Sequence, residues 1–214
     1  MTDRISADRS GVGPGRADLD KVDLVLASTS RYRRELLARL ASRFRTLAPD
    51  ANETAEAGES AATLAMRLAQ AKARTVAAHC AEAIVIGSDQ AAEVEGAILG
   101  KPGDIERAHA QLAAASGREV IFHTAVCLID LRLAEPREFT AIDTTRVFFR
   151  RLEHDEIARY LDRERPLDCA GSFKAEGLGI TLFDRIESQD PTALIGLPLI
   201  ALSRLLREAG VDVI

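Results

Sequence analysis

Tryptophan is absent from this chain, and aromatic residues make up only 4% of its 214 positions. At 47% hydrophobic, the chain still has the material for a full core, which excludes global disorder. That core must be leucine, isoleucine, valine and alanine, the composition of sheets covered by helices. Cysteine is scarce. Cys80, Cys127 and Cys169 are scattered and form no C-x-x-C pair, which fits a reducing cytosol better than a disulfide framework. Positive charge is not in excess either: a net charge of -5 disfavours holding duplex nucleic acid through the overall field, though a local basic pocket remains open. The longest uncharged apolar stretch, 193–202, is too short to span a bilayer and contains Gly196 and Pro198. Residues 1–21 carry Gly, Arg and Asp with no apolar segment of signal-peptide type. A cytoplasmic protein with neither nucleic acid nor membrane as partner is expected.

Several catalytic signatures are missing as well. There is no Walker A loop and no G-x-G-x-x-G. Ser172 lacks the G-x-S-x-G elbow of hydrolase triads. His79, His109, His123 and His154 have no metal-ligand spacing, which argues against zinc.

What is present begins with Leu24-Val25-Leu26-Ala27, followed by Ser28-Thr29-Ser30 and then Arg31-Tyr32-Arg33-Arg34. An apolar run, a hydroxyl cap and a new apolar period read as a strand feeding a helix. With Ser30 as N-cap, the arginines fall on the positive end of the helix, where cations are unfavourable unless an anion binds. Hydroxyls, free N–H groups and guanidinium forks together suit phosphate or carboxylate. The competing reading is a solvated basic turn.

The length fits one large α/β domain or two small lobes. Residues 1–21 read as a disordered extension and 22–214 as one domain. Strands are expected at 22–27, 83–86, 118–133, 137–150 and 178–183, with a hairpin over 91–99 turning near Gly96. Helices are expected at 30–40, 60–78, from the Asp104 cap to Gly117, at 154–163 and at 198–208. In the strand over 137–150, Ala141, Asp143, Thr145 and Val147 share one face.

Asp89 follows the buried run Ala83-Ile84-Val85-Ile86 and the pair Gly87-Ser88, which puts it at the carboxyl end of a strand, where α/β sheets bind ligands. A carboxylate there can hold a divalent cation or take a proton from water; the bland reading is a turn aspartate. Lys101, in Gly100-Lys101-Pro102, suits phosphate as a point charge, although the tripeptide is also an ordinary turn. The small-residue loop over 169–177 admits a planar ligand, and its Glu176 can accept hydrogen bonds from a base edge; a surface Lys174/Glu176 pair is the alternative. Glu53 is a candidate metal ligand that otherwise reads as a solvated loop acid. Lys72 reads as a helix-edge lysine with a snorkelling side chain.

In order and spacing, these segments resemble the Maf nucleotide pyrophosphatases. The likeness is carried by Leu26-Ala27-Ser28-Thr29-Ser30 with Arg33, Asn52-Glu53-Thr54, Ala71-Lys72-Ala73, Gly87-Ser88-Asp89-Gln90 and Gly100-Lys101-Pro102. The stretch 169–177, Gly179-Ile180-Thr181-Leu182-Phe183 and Gly196-Leu197-Pro198-Leu199 complete it. Ser88-Asp89-Gln90 and Gly171-Ser172-Phe173-Lys174-Ala175-Glu176-Gly177 resemble the branch that hydrolyses 7-methyl-GTP. The resemblance implies an α/β fold, an elongated mixed sheet flanked by helices, with a nucleotide cleft between two lobes. It implies Asp89 as proton acceptor and Tyr32, Gln90 and Glu176 as positions of base preference. Ser28, Arg33, Glu53, Lys72 and Lys101 match phosphate- and metal-handling positions, with Mg²⁺ or Mn²⁺ near Asp89 and Glu53. A homodimer suits the family type.

Two departures stand out. Asn52 replaces the usual aspartate and removes a carboxylate, and Arg31-Tyr32 replaces Pro-Trp, leaving a smaller aromatic face for a cationic purine. The expected reaction is hydrolysis of a nucleoside triphosphate to monophosphate and pyrophosphate, 7-methyl-GTP first. Its rivals are a dTTP/UTP pyrophosphatase and a nucleotide-binding regulator of septation without turnover.

Overall fold

The computed structural model describes residues 16–214. It opens on a short strand, β1 (Ala17–Asp18), paired in parallel with the last one, β9 (Val211–Asp212). A 3-10 turn over Leu19–Lys21 follows and buries Leu19. The expected disordered extension therefore needs correction over residues 17–21: one apolar side chain and a two-residue ladder tie them to the C-terminus. Residues 1–15 of that extension lie outside the described residues.

The main sheet has seven strands. Its order is β3 (Arg45–Leu47), β2 (Asp23–Ala27), β4 (Ala83–Val94), β6 (Glu119–Asp130), β7 (Arg137–Phe149) and β8 (Phe183–Glu187), with β5 (Ala97–Leu99) also on β4. β2 runs parallel to β3 and β4, and the remaining pairs are antiparallel, so the sheet is mixed. The helices are α1 (Arg31–Leu37), α2 (Ala61–Ala77), α3 (Ile105–Ala115), α4 (His154–Glu164) and α5 (Leu199–Glu208).

Apolar residues on both faces explain why β2 and β4 lie in the middle. Leu24, Leu26, Ile84 and Ile86 pack with α5 on one side, while Val25, Ala27, Ala83 and Val85 pack with α2 on the other. A third cluster joins α3, α4 and the far ends of β6 and β7. Four of the seven phenylalanines meet at its centre: Phe173 packs against Phe122, Phe149 and Phe183 edge to face at 4.8–5.5 Å. The cleft opens between this third cluster and the first two.

Two expected strands are redrawn. The run 83–86 does not stop at Gly87; β4 continues through Asp89 to Val94 before the hairpin at Gly96. Residues 178–182 form a 3-10 turn, and the strand begins only at Phe183. The expected helix over 30–40 is shorter, ending at Leu37.

Candidate functional site

The cleft exists because one edge of β4 is left open. β6 covers the other edge from Ile84 to Glu93 without a break. On the open edge, β2 pairs with β4 only as far as Gly87 and β5 pairs with it only from Ala92 onward, so residues 88–91 have no strand beside them. Asp89 is thus mid-strand, not at a strand end, yet it stands just beyond the carboxyl end of the parallel neighbour β2. Side chains from both faces of β4 reach round this edge: Asp89 turns toward α2 and Gln90 toward residues 193–196.

The cleft measures about 770 Å³. Ser28, Tyr32 and Arg33 line it from the β2–α1 junction, Glu53 and Lys72 from the α2 side, and Asp89 and Gln90 from β4. Lys101, after β5, and Glu176, on the far rim, complete the group. All nine sequence-derived candidates share one cavity, although 148 positions separate the first from the last.

Lys72 is the centre of this group. Its side chain is 6% exposed, so it does not snorkel. Nζ lies 2.6 Å from Asp89 Oδ1 and 2.5 Å from Glu53 Oε1. A hydrogen bond from that ammonium holds the Glu53 carboxyl below its usual range, against the opposing effect of burial. Arg33 stands behind: its Nε donates to the Gly196 carbonyl at 2.8 Å and its terminal nitrogen is 4.0 Å from Asp89 Oδ1. Burial pushes the Arg33 guanidinium down, and the charges of Asp89 and Glu53 oppose that shift.

Local chemistry sets each of these groups in place. Ser30 caps α1 by accepting from the Arg33 amide, and Ser28 Oγ accepts from the Ser30 amide at 3.1 Å. Asn52 Oδ1 accepts from the Thr54 amide at 3.0 Å, a turn that an aspartate would make equally well. The departure at Asn52 therefore keeps the loop that presents Glu53 and removes only a charge. On the rim, the loop bearing Glu176 is held by α4: Tyr160 accepts from the Lys174 amide at 3.1 Å and Glu164 from the Leu178 amide at 2.9 Å. Lys174 pairs with Glu164 at 3.7 Å, so the alternative of a Lys174/Glu176 surface pair is not formed.

Tyr32 is half-buried at the cleft mouth, and burial raises its phenol above the ordinary value. Arg31 lies over its ring, 4.7 Å from the centroid, and donates to its hydroxyl at 2.8 Å. The replacement of Pro-Trp by Arg31-Tyr32 thus gives a smaller ring with a guanidinium already on it.

With the cleft described, relatedness decides what kind of protein carries it. Residues 23–209 match the family described as Maf-like protein. The chain belongs to the Maf-like family. Curated relatives named 7-methyl-GTP pyrophosphatase include one from Xanthomonas oryzae pv. oryzae, 59% identical over 87% of this chain and 96% of that protein. One from Xanthomonas axonopodis pv. citri is 58% identical over 89% and 98%, and one from Aromatoleum aromaticum is 54% identical over 87% and 95%. Among solved structures, the Staphylococcus aureus Ham1 protein matches with a TM-score of 0.45 at 15% identity, covering 87% of this chain and 97% of that one.

In this Maf-like protein the sequence reading missed the layer beneath the cleft. Ser88, fully buried, shares its one hydroxyl proton between the carbonyls of Ala125 and Gly196, at 2.8 and 3.1 Å. Thr124, also fully buried, donates to the Ala193 carbonyl at 2.9 Å. Only strand alternation could have pointed to Thr124, whereas Gly196 already stood in a motif.

Among the described residues, no helix is long and apolar enough to cross a membrane. No cluster of three or more His, Cys, Asp or Glu residues forms a metal site of protein ligands alone among them. Asp89 and Glu53 nevertheless converge on one cation position, now held by the Lys72 ammonium. One or two carboxylates completed by substrate phosphates are the usual donor set for Mg²⁺, so the residues present fit such an ion.

Proposed function

We propose that this protein hydrolyses a nucleoside triphosphate between its α- and β-phosphates, with 7-methyl-GTP as preferred substrate, releasing the monophosphate and pyrophosphate. The observation that carries the reading is the buried Lys72 ammonium clamped between Asp89 and Glu53, with Arg33 behind Asp89, inside a cleft of nucleotide size. The names of the curated relatives support both the reaction and the base.

In this reading the triphosphate lies along the open edge of β4. Arg33, Lys72 and Lys101 meet its oxygens, joined by Ser28 and the first amides of α1. Asp89 orients the attacking water and takes its proton as the oxygen adds to phosphorus. The bridging P–O bond breaks, and pyrophosphate leaves with its charge offset by the cations. Asp89 and Glu53 would hold a Mg²⁺ or Mn²⁺ ion, which supplies further neutralisation of phosphate charge when bound. Tyr32 offers an aromatic face to the cationic base and Glu176 a carboxylate, both favouring the methylated ring over plain guanine.

Cys80, Cys127 and Cys169 are all unpaired, which supports a cytoplasmic setting. A homodimer in solution completes the proposal, and light scattering measures it directly.

Asp89→Asn tests the chemistry. The variant should keep affinity for 7-methyl-GTP, measured by calorimetry, and lose pyrophosphate release by about 10³-fold. Wild-type protein that binds the nucleotide without turnover would make the cleft a regulatory site instead.

A further inference from the structure

The hydrogen bonds of the Gln90 side chain are all donated. Its Nε2 lies 3.0 Å from the Ala193 carbonyl oxygen, 3.1 Å from that of Leu194 and 3.0 Å from Thr124 Oγ1. Thr124 has a single hydroxyl proton and directs it to the Ala193 carbonyl at 2.9 Å, so it meets Gln90 as an acceptor. Carbonyl oxygens only accept. An amide turned the other way would set Oε1 against the two carbonyl oxygens, and could gain a donor only by drawing the Thr124 proton away from the Ala193 carbonyl. The orientation is therefore fixed by hydrogen-bond polarity, and Oε1 is the atom that Gln90 has left for the cleft it lines.

The acceptors themselves are pinned. Asp190, 2% exposed, accepts from the Thr192 amide and hydroxyl at 2.9 and 2.6 Å and from the Ile200 amide at 2.6 Å. Those bonds anchor both ends of the turn that carries the Ala193 and Leu194 carbonyls, so the lock on Gln90 does not shift with the cleft surface.

We propose that Thr124 is a specificity-determining positioning residue: with the two carbonyls it locks Gln90 as a hydrogen-bond acceptor, so the cleft selects bases that present a donor there. This rests on the reading of the cleft as a nucleotide site and adds the polarity of its base contact. Guanine and its 7-methyl form carry two such donors, the N1–H and the 2-amino group. A base with an acceptor or a methyl group at that point would leave Oε1 unpaired, a larger penalty than the loss of a bond made in water.

The test compares kcat/KM for 7-methyl-GTP with that for two analogues, each lacking one donor. These are 7-methylinosine triphosphate, without the 2-amino group, and 1,7-dimethyl-GTP, without the N1–H. Wild type and Thr124→Ser, which keeps the hydroxyl, should disfavour at least one analogue by about tenfold. Thr124→Val should reduce that penalty to about twofold. Equal use of all three nucleotides by wild type, or an undiminished penalty in Thr124→Val, overturns the proposal. If the protein cleaves dTTP and UTP in place of 7-methyl-GTP, the functional reading fails but the lock does not: 3-methyl-UTP, which lacks the N3–H, replaces the guanine analogues with the same expectation. A readout free of turnover comes from the Gln90 side-chain amide protons in ¹H–¹⁵N spectra of the ligand-free protein, assigned with Gln90→Leu. Slow exchange with solvent is expected in wild type and Thr124→Ser, and free exchange in wild type contradicts the lock.

Discussion

A Cβ atom on Gly87 would lie 2.3 Å from the Ala69 carbonyl oxygen, and 2.6 Å from the Ala73 amide nitrogen. Helix α2 therefore rests directly on β4 at this glycine. Lys72 lies within the Ala69–Ala73 turn of the helix, and Asp89 is two positions along the same face of the strand. The absence of one side chain sets the depth at which the ammonium meets the carboxylate. Gly87→Ala should destabilise the fold by about 3 kcal/mol and lower Tm by roughly 10 °C, because the obstructing atoms are backbone and cannot swing aside. Thermal unfolding measures this, and an unchanged Tm would show that the helix is free to lift.

Lys72→Met should lower kcat about 10²-fold or more, since it removes a phosphate-facing cation and leaves Asp89 and Glu53 without the charge that joins them. Lys72→Arg should not restore it, because a planar fork does not fill the place of a compact ammonium touching two carboxylates at 2.5 and 2.6 Å. Steady-state kinetics decide the matter. Retention of more than half the wild-type kcat by Lys72→Met would remove Lys72 from the machinery.

Asp130 gives a prediction about acid stability. Its side chain is fully buried, and burial alone would raise its pKa, but hydrogen bonds from Arg132 and Arg137 hold it down to about 2. In the unfolded chain it returns to 3.8. A carboxyl depressed by folding contributes stability that is complete above the unfolded value and is lost as pH falls through the folded one. Between about pH 4 and pH 2, wild type should lose about 2 kcal/mol that Asp130→Asn, weaker already at neutral pH, does not lose in that window. Denaturant unfolding at stepped pH values compares the two, and parallel curves would contradict the ion pair.

Base preference should respond to the rim. Tyr32→Trp, which restores a larger aromatic face, should raise the 7-methyl-GTP to GTP ratio of kcat/KM about threefold. Glu176→Gln should lower it about fivefold by removing the charge that favours the cationic ring. Ratios unchanged in both variants would detach these two residues from recognition of the base.

The sequence was legible where a local signal determines the outcome. Ser30 and Asp104 cap helices as their positions suggest, because each hydroxyl or carboxylate needs only an amide three residues on. The continuous apolar run 83–86 identifies a strand buried on both faces. Where that strand ends was not legible: Ser88, Asp89 and Gln90 look like a turn, and only the register with β6 carries them on as ladder. Lys72 was misread as a helix-edge residue because its burial follows from Gly87, a contact across the fold. The candidate site was found as a set of motifs in order; Thr124 and the Ala193 and Leu194 carbonyls were not, since backbone acceptors leave no mark in composition.

Offered 7-methyl-GTP, GTP, dTTP, UTP and CTP in parallel, with Mg²⁺ or Mn²⁺, the purified protein reveals its substrate through kcat/KM for pyrophosphate release. We expect 7-methyl-GTP to lead the panel by at least about tenfold, its products to be the monophosphate and pyrophosphate, and Asp89→Asn to lower the signal about 10³-fold. Preference for dTTP and UTP, or release of single phosphates from any of the five, would contradict the proposed function.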